Sequence, residues 1–313
     1  MVDAAEEYLF TSDIKGHVKQ WNIKSRKLFK DWGKAHNGEI HAISTTSDSA
    51  FLFTSDALGY LKQWNIATHD CAKDYGRIHS GLISTLEITS DNLFLFTCVP
   101  KMADRKIGNY NLKQWNIKKK EIHKNWGVLH DHAPMTLTTT PNGKYLFTSD
   151  IAGYLKQWSI ATQELLKDYG KVHDDYIRSV TVTPSFPIYV FTTALGDLKQ
   201  WHAEELEMFK DWGQIHTDSR IYSMATTPDG ETLFTSDGNG YLKQWTIADG
   251  KLVKNWGEIH NTEYINSIAV SKDGQTLVTS DHYGAIKQWS ISKQKLVKDY
   301  GKVHDGPIHS IVF

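Results

Sequence analysis

One tripeptide, Lys-Gln-Trp, occurs seven times along this 313-residue chain. Its copies are separated by 43, 51, 43, 43, 44 and 44 residues. Eleven residues after each tryptophan comes an aromatic residue followed by glycine, and four residues further on comes a histidine. A fixed period of this length indicates a fold made of stacked copies of one supersecondary unit. The repeated tryptophans are Trp21, Trp64, Trp115, Trp158, Trp201, Trp245 and Trp289, and the repeated histidines are His36, His79, His130, His173, His216, His260 and His304.

Each period contains four short strands and no stretch long enough for a helix. In the sixth copy the segments 221–227, 232–235, 241–247 and 251–256 are rich in β-branched, aromatic and apolar residues. Glycine, proline and aspartate separate these segments, which is typical of turns. The period therefore predicts one four-stranded antiparallel sheet per copy. A lone sheet of this kind cannot cover both faces, whereas seven stacked radially can.

The chain resembles a WD-repeat β-propeller in its period, its strand order, the tryptophan that ends the third strand and the Pro-Asp-Gly turn. We therefore predict an all-β, seven-bladed β-propeller of four-stranded antiparallel blades, forming a single domain over residues 1–313. The resemblance also implies a His–Asp–Ser/Thr–Trp hydrogen-bond network in each blade. In this chain we expect His260 to pair with Asp237 and Ser236, and Ser236 to bond the Trp245 indole.

The phase of the repeat predicts how the ring closes. The chain begins with a second strand, residues 8–11, and ends with a first strand, residues 308–313. One blade should therefore take its innermost strand from the C-terminal end and its other three strands from the N-terminal end. Without that strand the ring would have an open edge.

The composition argues against several partners. The chain carries 35 Lys and Arg against 36 Asp and Glu, a formal charge of -1, which gives no global field to attract nucleic acid or an anionic membrane. The sequence has no run of eighteen apolar residues and no apolar leader segment, so we expect no membrane span. Two cysteines cannot form a disulfide framework, so we expect an intracellular, cytoplasmic protein.

The histidines do not predict a metal site. Seven of the 15 recur once per blade, so a ring would hold them far apart. The one tight pair, His130 and His132, has no apparent third ligand. No nucleophile–base arrangement or phosphate-binding glycine loop stands out from the repeat. We therefore expect no metal, no cofactor and no catalytic activity, and we assign the repeated Trp and His residues to the scaffold.

Function should lie where the copies differ, because residues shared by seven copies are explained by the scaffold. In this topology the loops between second and third strands and the loops leading into the first strands open on one face. Tyr and Arg, which are enriched in interface hot spots, vary there between copies. The predicted partner-binding residues are Tyr60, Tyr154, Tyr176, Arg178, Arg220, Tyr222, Tyr241 and Tyr264.

These residues predict a non-catalytic scaffold that binds a protein or peptide on this face, as part of a larger assembly. The alternative is a small-molecule or glycan site in aromatic pockets on the same face or at the channel mouth. An eight-residue insertion in the third copy, with Lys101, Arg105 and Lys106, could contact an acidic partner segment or be a neutral insertion.

Overall fold

The computed structural model describes residues 7–99, 111–217, 219–260 and 264–313, and every regular element in these ranges is a β-strand. The basic insertion of the third copy lies outside the described residues. In chain order the strands are β1 (Tyr8–Ser12), β2 (His17–Asn22), β3 (Lys27–Lys34), β4 (Ile40–Thr45), β5 (Phe51–Asp56), β6 (Tyr60–Asn65), β7 (Cys71–Arg77), β8 (Thr85–Ile88), β9 (Phe94–Cys98), β10 (Leu112–Asn116), β11 (Glu121–Gly127), β12 (Pro134–Thr139), β13 (Tyr145–Asp150), β14 (Tyr154–Ser159), β15 (Leu165–Lys171), β16 (Ser179–Val182), β17 (Tyr189–Ala194), β18 (Asp197–His202), β19 (Glu207–Gln214), β20 (Ile221–Thr226), β21 (Thr232–Asp237), β22 (Tyr241–Thr246), β23 (Leu252–Glu258), β24 (Ile265–Val270), β25 (Thr276–Asp281), β26 (Ala285–Ser290), β27 (Lys295–Lys302) and β28 (Ile311–Val312).

The strands form seven four-stranded antiparallel sheets, which confirms the predicted seven-bladed β-propeller. Blade 1 consists of β28, β1, β2 and β3, and blades 2 to 7 take the following strands in consecutive groups of four. Neighbouring first strands contact one another around the ring, so they are the innermost strands and surround the central channel. The described part of the chain contains no helix that could cross a membrane.

Burial follows the position of a strand within its blade. The second strands are buried on both faces because each is covered by the two neighbouring blades, as Leu233 and Phe234 of β21 show with 0% exposure each. Phe234 packs in one cluster with Ile265, Leu277 and Trp289 of blade 7, so the core lies between blades. The fourth strands are mostly exposed at the circumference. Burial between blades is what holds the sheets in a ring.

All four strands of the sixth copy lie at their predicted positions, but their boundaries differ by one or two residues. The second strand continues through Ser236 and Asp237, which we predicted as turn. The fourth strand continues past Gly257, whose φ of +77° lies in the left-handed region that favours glycine. This residue lies where the register shifts between Leu242 and Lys243, so the glycine forms a bulge rather than ending the strand.

The ring closes as predicted, through the C-terminal strand. Val312 and Ile311 of β28 pair with Phe10 and Thr11 of β1. This strand is shorter than the six residues we predicted. Before it, the Ile308 N–H donates to the Asp281 carbonyl of blade 7 at 3.4 Å. The C-terminal segment therefore joins blade 1 to blade 7 as well as completing blade 1.

Removing residues 307–313 is expected to expose the edge of β1 and to destabilise the ring. Ile311 and Phe313 would no longer pack with Leu9 and Trp21, and an unpaired strand edge promotes association. Size-exclusion chromatography with light scattering should show oligomers or aggregates, and thermal unfolding should shift to lower temperature. A truncated protein that stays monomeric with an unchanged Tm would contradict this account of closure.

Candidate functional site: the upper face and the channel mouth

The upper face, as we define it, carries the turns between second and third strands and the loops that lead into the first strands. Backbone hydrogen bonds join these two sets of loops, as where the Val303 N–H donates to the Gly284 carbonyl at 2.8 Å. A Cβ on Gly284 would lie 2.1 Å from the His304 carbonyl oxygen, so only glycine permits this contact. Gly16, Gly59, Gly153 and Gly196 make the same close approach in their blades, so glycine is required there by close packing.

A buried hydrogen-bond chain fixes each blade's upper loops. In blade 6 the Trp245 Nε1–H donates to Thr235 Oγ1 at 2.9 Å, and this hydroxyl bonds His216 Nε2 at 2.8 Å. The hydroxyl can accept from the indole and donate to a neutral imidazole. The same Trp–Thr–His chain occurs in all seven blades and includes every repeated tryptophan and histidine. Its threonines are Thr11, Thr54, Thr97, Thr148, Thr192, Thr235 and Thr279.

An aspartate extends the chain in five blades. In blade 6 the His216 Nδ1–H lies 2.7 Å from Asp237 Oδ2, while Asp237 Oδ1 accepts the Tyr241 N–H at 2.9 Å. The carboxylate thus bonds the loop histidine with one oxygen and the turn backbone with the other. Blades 3 and 5 have Val99 and Ala194 at this position, so their histidines have no such carboxylate.

The expected pairing of His260 with Asp237 is wrong. Asp237 bonds His216, while His260 bonds Asp281 of blade 7 at 3.0 Å. Each histidine lies in the loop that leads into the next blade's first strand, so it belongs to the next sheet. The error comes from placing the blade boundary after the histidine.

The expected role of Ser236 is wrong as well. Side chains alternate along a strand, and Leu233 lies opposite Trp245 in the register, so Thr235 projects on the face that carries the indole. Ser236 projects on the other face, where its hydroxyl donates to the Ser223 carbonyl at 3.3 Å. Threonine therefore provides the hydroxyl.

The Lys-Gln-Trp tripeptide links the loops and the blades. The Lys243 ammonium donates to the Ile215 carbonyl at 2.6 Å, directly before the network histidine. Trp212 of blade 5 packs edge-on against Trp245 of blade 6, with ring centroids 6.1 Å apart, and donates its Nε1–H to Gln200 Oε1 at 3.0 Å. Edge-on aromatic pairs of this kind occur at all seven blade junctions.

The network shifts the pKa values of its members. Burial by itself raises the pKa of the Asp281 carboxyl, but hydrogen bonds from His260 and the Ala285 N–H outweigh it and lower that pKa. In the two blades without aspartate, burial lowers the pKa of His79 to about 3 and that of His173 to about 4, with nearby lysines adding to the effect. The imidazoles of these two blades are therefore held neutral.

Thr235→Val is expected to lower the free energy of unfolding by roughly 2 to 5 kcal/mol, because the buried Trp245 and His216 nitrogens would lose their shared partner. Ser236→Ala is the matched control one residue away and should cost less than about 1 kcal/mol, since its hydrogen bonds are long. Urea unfolding followed by far-UV circular dichroism measures both. Equal costs would refute the assignment of the hydroxyl.

The free energy of unfolding is expected to fall as the pH is lowered from about 6.5 to 4. The pKa of His173 is about 4 in the folded protein, below the 6.5 of an ordinary imidazole, so the unfolded chain binds more protons in this window. The contribution of the neutral His173 imidazole to the free energy of unfolding is complete above pH 6.5 and is lost as the pH falls through 4. His173→Gln should reduce the slope of unfolding free energy against pH by up to about 1.4 kcal/mol per unit. The measurement is urea unfolding at several pH values between 7 and 4.5. A His173→Gln variant with the same slope of unfolding free energy against pH as the unmodified protein would contradict this prediction.

Five of the eight predicted partner-binding residues meet at the mouth of the central channel. The Arg178 guanidinium lies 3.9 Å from the Tyr222 ring centroid, and that of Arg220 lies 4.7 Å from the Tyr176 centroid. The rings of Tyr222 and Tyr264 are 5.0 Å apart. We call Tyr176, Arg178, Arg220, Tyr222 and Tyr264 the channel-mouth cluster. It lies on blades 5 to 7.

The other three predicted residues lie apart, each at the start of a third strand. Tyr60 of blade 2 and Tyr241 of blade 6 are each 38% exposed. Tyr154 of blade 4 is stacked on His132, with ring centroids 5.8 Å apart. Because blades 2, 4 and 6 are not adjacent, these tyrosines do not form one patch.

The predicted partner-binding residues did not include several residues that lie beside the cluster. His41 and His309 stack at 4.5 Å across the junction of blades 2 and 1, and His282 packs against Tyr264. Asp175 accepts a hydrogen bond from Arg220 at 2.9 Å. The signal for His282 was its variable position directly after Asp281. The histidine stack depends on which blades are neighbours, and no spacing shows it directly.

The described residues hold no group of three or more His, Cys, Asp or Glu side chains placed to bind a metal ion. His130 bonds Thr148 within the network, and His132 stacks on Tyr154 and lies 3.7 Å from Asp150. Cys71 is exposed and Cys98 is buried, and both are free thiols. Burial raises the pKa of Cys98 to about 12, so this thiol stays protonated.

Comparison with known proteins agrees with this geometry. Residues 213–246 and 250–290 match the family described as WD domain, G-beta repeat, and the seven sheets extend the same pattern around the ring. The chain is a seven-bladed propeller that contains WD repeats. Such propellers generally act as protein-interaction scaffolds and are typically not enzymes.

A crystal structure of the computationally designed Ika8 protein is similar to this WD-repeat propeller. The TM-score is 0.71, and the alignment covers 97% of this chain and 87% of that chain at 20% identity. At this identity the likeness shows the fold alone. The curated protein sequences gave no significant match.

Proposed function

We propose that this WD-repeat propeller is a non-catalytic scaffold that binds a protein or peptide partner on its upper face, centred on the channel-mouth cluster. The contiguity of this cluster carries the proposal. Two sets of ring contacts lie side by side on blades 5 to 7: Arg220 on Tyr176, and Arg178 with Tyr222 and Tyr264. Tyr176 and Arg220 are near enough to Tyr222 to affect the pKa of its phenol. Tyr and Arg are the side chains enriched at interface hot spots.

The cluster is suited to this role because its side chains are held in place before binding. Tyr222 contacts Arg178 on one side and Tyr264 on another, so its ring loses little freedom when a partner packs on it. Burial raises the pKa of the Tyr222 phenol, although Arg178 partly opposes this, so the phenol remains a neutral hydrogen-bond donor. The proposed partner is one component of a larger assembly, and the outer tyrosines Tyr60, Tyr154 and Tyr241 would extend the contact.

We favour a polypeptide over a small molecule or a glycan. A repeated ligand pocket would require Tyr60, Tyr154 and Tyr241 to have similar surroundings. Tyr154 is instead stacked on His132, and within the described ranges Tyr60 and Tyr241 have no equivalent ring contact. The asymmetry of the cluster also fits one extended partner better than several copies of one small ligand.

Tyr222→Ala combined with Tyr264→Ala is expected to reduce partner affinity at least about tenfold, because truncation of a hot-spot aromatic removes most of its contact. Partners that co-purify with the propeller from its native source identify the ligand, and isothermal titration of the recovered partner gives the affinity. Phe186→Ala is the matched control, because Phe186 is an aromatic residue, 76% exposed, in a turn on the opposite face.

The proposal fails if the control variant loses the partner and the cluster variant retains it. Thermal unfolding of both variants should stay close to that of the unmodified protein, since neither change touches the Trp–Thr–His chain. A large loss of stability in the cluster variant would assign these tyrosines to the scaffold instead.

A further inference from the structure

The two arginines of the channel-mouth cluster differ in their bonding. Arg220 Nη2 donates to Asp175 Oδ2 at 2.9 Å, and Arg220 Nη1 donates to the Tyr176 hydroxyl. Arg178 stacks on Tyr222, but within the described part of the chain its guanidinium has no carboxylate within 4 Å and no hydrogen-bond acceptor. Arg220 is thus held by an internal ion pair, whereas the donors of Arg178 are uncommitted.

Two described acidic residues of the upper-face loops, Glu39 and Asp305, are already paired. Glu39 bonds His41 Nε2 at 3.1 Å, and Asp305 bonds the Lys15 ammonium at 2.7 Å. Of the described residues in the seven first strands, Glu87 alone is acidic. Its Oε1 accepts the Thr139 N–H at 2.9 Å, so it is committed to holding blade 4 against blade 3. None of these carboxylates is placed to neutralise Arg178.

Positive and imidazole groups surround the same opening. The pKa of His309 is lowered to about 4, first by burial and then by His41, His282 and Arg178. These four side chains come from blades 1, 2, 5 and 7, so they face one another across the channel mouth. An anion entering there would meet donors from several blades.

We propose that Arg178 receives an anionic side chain, a carboxylate or a phosphoryl group, from an acidic segment of the partner polypeptide. This inference rests on the proposed upper-face binding and specifies the chemistry of that partner. Guanidinium binds carboxylates and phosphoryl groups through two parallel hydrogen bonds. The Arg178 guanidinium is already stacked on the Tyr222 ring, so its N–H donors are oriented before the anion arrives.

A polypeptide fits this site better than a nucleic acid does. Nucleic-acid binding depends on many cations along a phosphate backbone, and the protein has a formal charge of -1. Asp175, Glu39 and Asp305 also lie around the mouth, where they would repel a continuous row of phosphates. One uncommitted arginine among aromatic rings suits a single acidic side chain flanked by apolar residues.

The test uses an immobilised library of random ten-residue peptides that includes phosphoserine. Peptides retained by the unmodified protein should be enriched in Asp, Glu or phosphoserine at one position. Arg178→Gln should weaken the retained peptides at least about tenfold, because a charge-assisted bidentate contact is lost. Arg178→Glu should exchange the preference for Lys or Arg. Enrichment of Asp and Glu would identify a carboxylate as the ligand. Enrichment of phosphoserine would identify a phosphoryl group.

Arg77→Gln is the matched control, because Arg77 is an arginine on the same face that bonds only its own loops, at Leu58 O and Ser80 O. It should leave the retained peptides unchanged, and thermal unfolding should show that all three variants are folded. Neutral or basic peptides whose retention depends on Tyr222 and Tyr264 but not on Arg178 would overturn this inference and leave the proposed function standing.

Retention of no peptide at all would overturn both the inference and the proposed peptide binding. The same assay with a single-stranded ten-nucleotide thymidine oligomer distinguishes the remaining ligand class. If the oligomer binds through Arg178 and the acidic peptides do not, the partner assignment is overturned in favour of a nucleic acid.

Discussion

The threonine hydroxyl at the centre of each Trp–Thr–His chain is the contact on which the upper face depends. It joins a third-strand indole and the histidine of the loop leading into the first strand, so three parts of a blade share one buried atom. Aspartate extends the chain in five blades only, whereas the threonine is present in all seven. A buried polar network stabilises when every member has a partner, and the hydroxyl is the member that both others require.

The same contact explains why the variable residues can be functional. Because the histidine is held by its threonine in every blade, the residues beside it are free to differ without loss of the ring. On blades 5 to 7 this freedom produces the channel-mouth cluster, and on other blades it produces smaller or more isolated side chains. Within the cluster, Arg220 bonds Asp175, whereas no carboxylate of the described residues lies within 4 Å of Arg178, so the two arginines have different surroundings.

Much of the fold could be predicted from the sequence because the repeat is regular. The seven Lys-Gln-Trp copies gave the number of blades, and the phase of the repeat gave closure by the C-terminal strand, which the pairing of Ile311 with Thr11 confirms. The hydrogen-bond partners were less predictable. Ser236 and Thr235 are adjacent in sequence and similar in chemistry, and only the register with the third strand decides which one faces Trp245.

The sequence by itself determined the period, the four strands of each blade and the types of residue that vary on one face, because these depend on local patterns that recur seven times. The tertiary structure alone decided which variable residues meet. Arg178 and Tyr222 are 44 residues apart in the chain, and His41 and His309 lie near opposite ends of it. They come into contact because the ring places particular blades side by side, and no spacing in the sequence measures whether a charged side chain found a partner there.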